Sequence, residues 1–213
     1  IKRLQEKYAG QIELYVGMEI DYLNDDWGPA VEYFQRMPLD YRIGSVHLVT
    51  EEQTGEIMDM DGKFEDFREN LRLIFHDDLK YLVEAYFKAS SRMVELGGFD
   101  FVAHLDKISM NGSLMDSTLT EQEWYNRLLW DYMSLIAKKG VMVEVNTKAY
   151  TKKGMMFPNV KYFKWLKELN IPVMVNSDAH LPQLAFEWLR EVGIKSTMRL
   201  HQGAWVEVPI DNK

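Results

Sequence analysis

Cysteine is absent from this 213-residue chain. That excludes disulfide staples, thiolate zinc sites and thiol nucleophiles, so any transition metal must be held by His, Asp and Glu. No apolar run approaches the roughly 20 residues of a membrane helix, and no secretory pattern opens the chain. Cysteine-free composition of this kind fits a cytoplasmic protein. Basic residues are outnumbered, 25 Lys and Arg against 33 Asp and Glu, for a formal charge of −8. Such a chain repels a phosphate backbone, which argues against a nucleic-acid partner. Neither a GxGxxG nor a P-loop follows the first expected strand, which counts against a nucleotide-binding sheet.

What the chain does contain is a core. It is 46% hydrophobic, with six Trp, eleven Tyr and ten Phe, enough for one domain spanning residues 1–213. Residues 1–9 read as the tail of a helix, with Leu4 and Tyr8 on one face and Gly10 where a C-cap glycine sits. A chain that opens there is expected to lack something before it. Short apolar runs then alternate with longer amphipathic ones. Strands are expected at 12–20, 40–49, 99–104, 141–145, 172–175 and 204–208. Helices are expected at 29–37, 64–75, 79–96, 121–139, 160–169 and 182–192, and 51–62 reads as an acidic loop. In the helix over 79–96, Leu79, Leu82, Val83, Tyr86 and Phe87 share one face at helical spacing. This alternation predicts an α/β fold with parallel strands and βαβ crossovers, either doubly wound or a β/α barrel.

The ionisable residues fall in register with that map. Glu19 ends the first apolar run, His47 lies near the end of the second, and His104 follows Phe101-Val102-Ala103. Glu144 and Asn146 close the next run, and Asp178 and His180 follow Val173 to Ser177. Five successive strands thus deliver polar groups at their C-terminal ends, the rim on which β/α barrels build active sites. Three of the five His take part; His76 and His201 read as structural. Singly, each residue has an ordinary explanation as a buried His, a solvated loop acid or a helix cap. One shared site accounts for them together. Neutral imidazoles and carboxylates suit Zn²⁺, Mn²⁺ or Fe²⁺, and Glu19 can bridge two ions. Adjacent metals can clamp a phosphoryl displacement. Asp59 and Asp61 lack the further ligands of a calcium loop.

These motifs resemble a known family. Gly17-Met18-Glu19-Ile20-Asp21, Ile43-Gly44-Ser45-Val46-His47, Ala103-His104-Leu105-Asp106, Glu144-Val145-Asn146-Thr147 and Asn176-Ser177-Asp178-Ala179-His180 look like the PHP (polymerase and histidinol phosphatase) family, in its histidinol-phosphatase branch. The resemblance implies a distorted seven-stranded, TIM-like β/α barrel with two or three divalent metal ions at its C-terminal face. Its Asp-x-His-x-His strand and following Asp-His pair are absent, so the first two βα units are expected to be missing. Carried over by position, Glu19, His47, His104, Asp178 and His180 would be metal ligands. Asp178 would also touch the nucleophilic water, and His180 would assist proton transfer. Glu144, Asn146, Lys148 and Lys152 are expected to bind substrate, with lysines where relatives often carry Arg.

The implied activity is hydrolysis of a small-molecule phosphate ester, L-histidinol phosphate to L-histidinol, in histidine biosynthesis. Other phosphoester substrates, as in the tyrosine phosphatases and nucleases of the family, are the alternative within the class. A non-catalytic folded module is the alternative outside it. A homo-oligomer is compatible with the sequence.

Overall fold

A computed structural model describes residues 1–150, 154–176 and 193–210. Its strands in chain order are β1 (Gly17–Asp21), β2 (Tyr41–Ser45), β3 (Leu48–Thr50), β4 (Ile57–Asp59), β5 (Phe101–Val102), β6 (Met142–Asn146), β7 (Val173–Asn176), β8 (Ser196–His201) and β9 (Ala204–Pro209). The helices are α1 (Lys2–Lys7), α2 (Glu32–Gln35), α3 (Phe64–Ile74), α4 (Leu79–Leu96), α5 (Ser109–Met115), α6 (Glu123–Lys139) and α7 (Phe163–Glu168).

Five strands form one sheet in the order β1-β2-β5-β6-β7, every neighbouring pair parallel. Each new strand is added on the same side as the last. A doubly wound sheet reverses at a switch point, and this one does not. The parallel α/β expectation therefore holds, with the winding of a singly wound sheet. Register fixes the rim: Asp21 lies opposite Ser45, and Asn146 opposite Asn176. In β6 every residue is buried, as expected of a parallel strand covered on both faces. Val143 and Val145 join the core cluster with Val102 and Val173. Glu144 and Asn146 alternate onto the other face.

Helices α4 and α6 cover the valine face. Helix α4 starts where Asp78 accepts a hydrogen bond from the Tyr81 backbone N–H at 2.9 Å, a capping contact worth about 1 kcal/mol. Its buried residues include Leu82, Val83, Tyr86, Phe87, Met93 and Val94, spaced as one helical stripe. Helix α6 buries Tyr125, Leu129, Tyr132, Met133 and Ile136 and ends on Gly140 at φ 67°, the left-handed cap conformation that glycine adopts without strain. The two helices interlock through Phe87, whose ring lies 5.6 Å from Tyr125 and 5.9 Å from Tyr132.

Several expected elements differ in extent. The strand expected over 12–20 begins only at Gly17, and that over 99–104 contracts to two residues. The strand expected over 40–49 is two: β2 ends at Ser45, the chain bends, and β3 begins at Leu48. The expected loop over 51–62 contains β4, which pairs antiparallel with β3. Its inward residues are Val49 and Met58, 1% and 0% exposed. Two three-residue strands are too short for a two-residue period to be legible. Helix α5 and strand β8 were likewise not expected. The helix expected over 182–192 lies outside the described residues.

The hairpin turn is locked onto α4 by one carboxylate. Glu51 accepts from the backbone N–H groups of Gln53 and Thr54 and from the Thr54 hydroxyl, while Tyr81 donates to it at 2.6 Å. The Tyr81 hydrogen bond, with the Thr54 amide next, holds its pKa down at about 2. A depressed carboxylate pKa stabilises the fold above the unfolded value, and that contribution is lost as pH falls through the folded one. Glu51→Gln should therefore lower stability at pH 7, with the deficit shrinking between pH 4.5 and about 2. Urea unfolding of both proteins at pH 7 and pH 3 checks this; an equal deficit at both would refute it.

Candidate metal centre

The two-residue period of a strand places Glu19 and Asp21 on one face of β1. The same period on β2 runs through Ile43 and Ser45 to His47, two residues past the strand end. His104 follows β5 by two residues. The three expected ligands from these strands converge: donor atoms of Glu19, His47 and His104 all lie within 4.8 Å of one another. His104 Nε2 stands 3.1 Å from Glu19 Oε1 and 3.1 Å from His47 Nε2. His47 Nε2 lies 3.7 Å from Glu19 Oε1.

Asp21 sets how His47 is presented. Its Oδ1 lies 2.7 Å from His47 Nδ1 and accepts the His47 backbone N–H at 3.0 Å and the Ser45 hydroxyl at 3.1 Å. A proton on Nδ1 shared with that carboxylate leaves the Nε2 lone pair facing His104 and Glu19. Burial opposes charge on both partners. Their hydrogen bond and attraction outweigh it, lowering the Asp21 pKa and raising that of His47. The hydrogen bond with His104 lowers the pKa of Glu19, so it presents a carboxylate. One carboxylate-oriented imidazole, a second buried imidazole and an ionised carboxylate suit a divalent transition metal.

His104 is 6% exposed and holds its backbone at φ 23°, a left-handed conformation rare outside glycine. Glu144 keeps it there. The His104 backbone N–H donates to Glu144 Oε2 at 2.9 Å, Asn146 Nδ2 donates to the same oxygen at 3.2 Å, and Asn176 Nδ2 donates to Oε1 at 2.8 Å. Glu144 is 2% exposed. Both Glu144 oxygens thus accept from protein donors, and Glu144 is not among the residues lining the pocket around Glu19, His47 and His104.

Above the bracket is a pocket of about 70 Å³ lined by Glu19, His47, His104, Asn146 and Lys148, together with Asp61, Lys107, Ala149 and Phe157. Asn146 and Lys148, two of the residues expected to bind substrate, are among those lining it. Lys152, Asp178 and His180 lie outside the described residues. Asp21 and Lys107 are not singled out by sequence, and Asp61 is considered there only as part of a calcium loop and set aside. The two-residue step from Glu19 was a usable signal for Asp21; nothing local marks Lys107, and the Asp-x-Asp spacing around Asp61 points to a different kind of site. A larger cleft of about 610 Å³ lies elsewhere, between Glu13, Tyr41, Met174 and Trp205. Among the described residues it holds no comparable ligand cluster, so size does not identify the site.

Removing the group that orients a ligating His typically costs roughly 10- to 100-fold in metal affinity. Asp21→Asn should weaken divalent-metal binding by that factor, read by competition titration against a chromogenic chelator. Wild-type affinity in the variant would show that Asp21 does not orient His47.

Comparison with known proteins places the fold. A probable histidinol-phosphatase from Deinococcus radiodurans is 24% identical over 215 residues, covering 95% of this chain and 74% of that protein. A candidate histidinol phosphatase from Listeria monocytogenes superposes with a TM-score of 0.69 at 21% identity, covering 83% of this chain and 67% of that one. A histidinol phosphate phosphatase from Lactococcus lactis, solved with zinc, L-histidinol and phosphate, gives a TM-score of 0.69 at 17% identity, over 96% and 76%. The PHP domain family model matches residues 1–148, the stretch that contributes Glu19, His47, His104 and Glu144, and the chain belongs to the PHP family.

Proposed function

We propose that this chain is a metal-dependent phosphomonoesterase that hydrolyses L-histidinol phosphate to L-histidinol and phosphate. The observation that carries this is the Glu19, His47 and His104 cluster in a pocket that is also lined by the ammonium groups of Lys107 and Lys148. Among the described residues, the lining carboxylates of Glu19 and Asp61 are balanced by Lys107 and Lys148. A divalent ion would leave the pocket positive, a match for a dianionic phosphate monoester. The relatives from Deinococcus and Lactococcus carry histidinol-phosphatase names, and the Lactococcus structure holds zinc with the two reaction products. The acidic surface charge argues against a nuclease.

Glu19, His47 and His104 would hold the metal. When bound, it supplies Lewis acidity toward phosphoryl oxygens and water. The chain's own contributions are separate. Asp21 keeps a proton on His47 Nδ1, which fixes the ring. Glu144 fixes the backbone of His104. Asn146 and the lysines receive the phosphate. Asp178 and His180 follow Asn176 by two and four residues, and Asn176 is anchored to Glu144 at the site. The proposal includes them as further ligands, with Asp178 beside the nucleophilic water and His180 assisting proton transfer, and Lys152 as a further phosphate contact. It also includes two or three ions of Zn, Mn or Fe.

The finer architecture belongs to this reading: a distorted seven-stranded barrel. In support, the segment leading into edge strand β1 and the residues of edge strand β7 line one cleft, an approach of the two edges that closure into a barrel would require. No helix among the described residues is long and apolar enough to cross a membrane. A cytoplasmic location rests on the absence of cysteine.

With Mn²⁺ or Zn²⁺ the protein should release inorganic phosphate from L-histidinol phosphate, and a chelator should stop it reversibly. His104→Ala and Glu19→Gln should each lower both bound metal and turnover, the latter by roughly 100-fold or more. Stoichiometric metal with no phosphate release would sink the proposal, and preferred turnover of phosphotyrosine would reassign the substrate.

A further inference from the structure

The expected phosphate-binding lysines lie in the segment after β6, where Lys148 is exposed. Lys107 is different. It stands three residues past His104, and its side chain is only 13% exposed. Its Nζ lies 2.9 Å from Asp61 Oδ1 and 5.2 Å from the centre of the Phe157 ring. Both partners line the pocket that contains the Glu19, His47 and His104 ligand atoms.

This arrangement is built rather than incidental. Asp61 follows β4 on a turn held from two sides. The Met60 N–H donates to the His47 carbonyl at 2.9 Å. Asn111, itself 2% exposed, donates to the carbonyls of Met60 and Gly62 at 2.9 and 3.1 Å. Phe157 is held by paired backbone hydrogen bonds with Asn146, at 2.7 and 3.1 Å. An ammonium group already desolvated and oriented loses less freedom on meeting an anion than an exposed one does.

We propose that Lys107 is the principal phosphate-binding cation of this pocket, held ready by Asp61 and the Phe157 ring. The proposal rests on the phosphoesterase reading and names the residue that recognises the dianionic group. Asp61 acts as its resting counter-ion: a phosphate dianion offers Lys107 a stronger partner at the same pocket wall.

The test uses the metal-loaded full chain with inorganic phosphate as probe. Lys107→Met should raise the dissociation constant for inorganic phosphate, measured by calorimetry, by about 10- to 100-fold. It should raise KM for L-histidinol phosphate by a similar factor and change kcat less. Lys107→Arg should recover most of the affinity, bound metal should be equal in all three proteins, and Lys148→Met should have the smaller effect. Unchanged phosphate affinity in Lys107→Met overturns the proposal, as does loss of metal from that variant. Should Lys107→Met fail to fold, the ammonium resonance of Lys107 in the wild-type protein, assigned against Lys107→Arg, decides: it should shift on saturation with inorganic phosphate, and a fixed resonance overturns the assignment. If inorganic phosphate binds through Lys107 but L-histidinol phosphate is not hydrolysed, the phosphoesterase reading falls and the Lys107 assignment stands.

Discussion

The carboxylate of Glu144 ties three strand ends together. It takes the backbone N–H that follows β5, the amide of Asn146 at the end of β6 and the amide of Asn176 at the end of β7. Without it the His104 N–H and the Asn146 amide would be buried unsatisfied groups, at about 1–3 kcal/mol apiece. The site depends on this because His104 sits at positive φ, a conformation that costs roughly 1–3 kcal/mol and persists only when its surroundings impose it. A parallel sheet delivers its strand ends to one rim. Glu144 fixes how three of those ends lie relative to one another once they arrive.

On the other side of the site Asp21 does a related job by a different route. It meets the side chain, the backbone N–H and the strand neighbour of His47 together. The two His are therefore set by two carboxylates, one acting on a ring and the other on a main chain. Glu19, between them, completes the cluster with the pKa-lowering hydrogen bond to His104.

Long periodic segments were legible from sequence. Helix α4 runs over the residues expected of it, and α3 and α6 differ by no more than two residues at an end, because 11 to 18 residues of helical spacing leave little room for another reading. Strand lengths were not legible: apolar residues continue past the point where hydrogen-bond pairing stops, as at 12–16 before β1. The convergence of Glu19, His47 and His104 could be read because strand ends in parallel order share a rim. The bracing role of Glu144 could not, since a carboxylate at a strand end looks the same whether it faces solvent or neighbouring amides. Asp61 and Lys107 are 46 positions apart in sequence, and only the antiparallel fold-back of β3 and β4 brings them together. Asp178, His180 and Lys152 lie outside the described residues.

The fold-back of β3 and β4 also divides the site by origin. The Glu19, His47 and His104 donors come from the ends of parallel strands, where a shift of register would disturb the whole sheet. Asp61 comes from a small hairpin inserted between one such strand and the helix that follows, pinned by Met60 and Asn111. In the proposed phosphoesterase, changes in the length or sequence of that hairpin would reshape the wall facing the substrate while the Glu19, His47 and His104 cluster keeps its geometry. On that proposal, substrate range and metal chemistry lie on parts of the chain that are free to diverge at different rates.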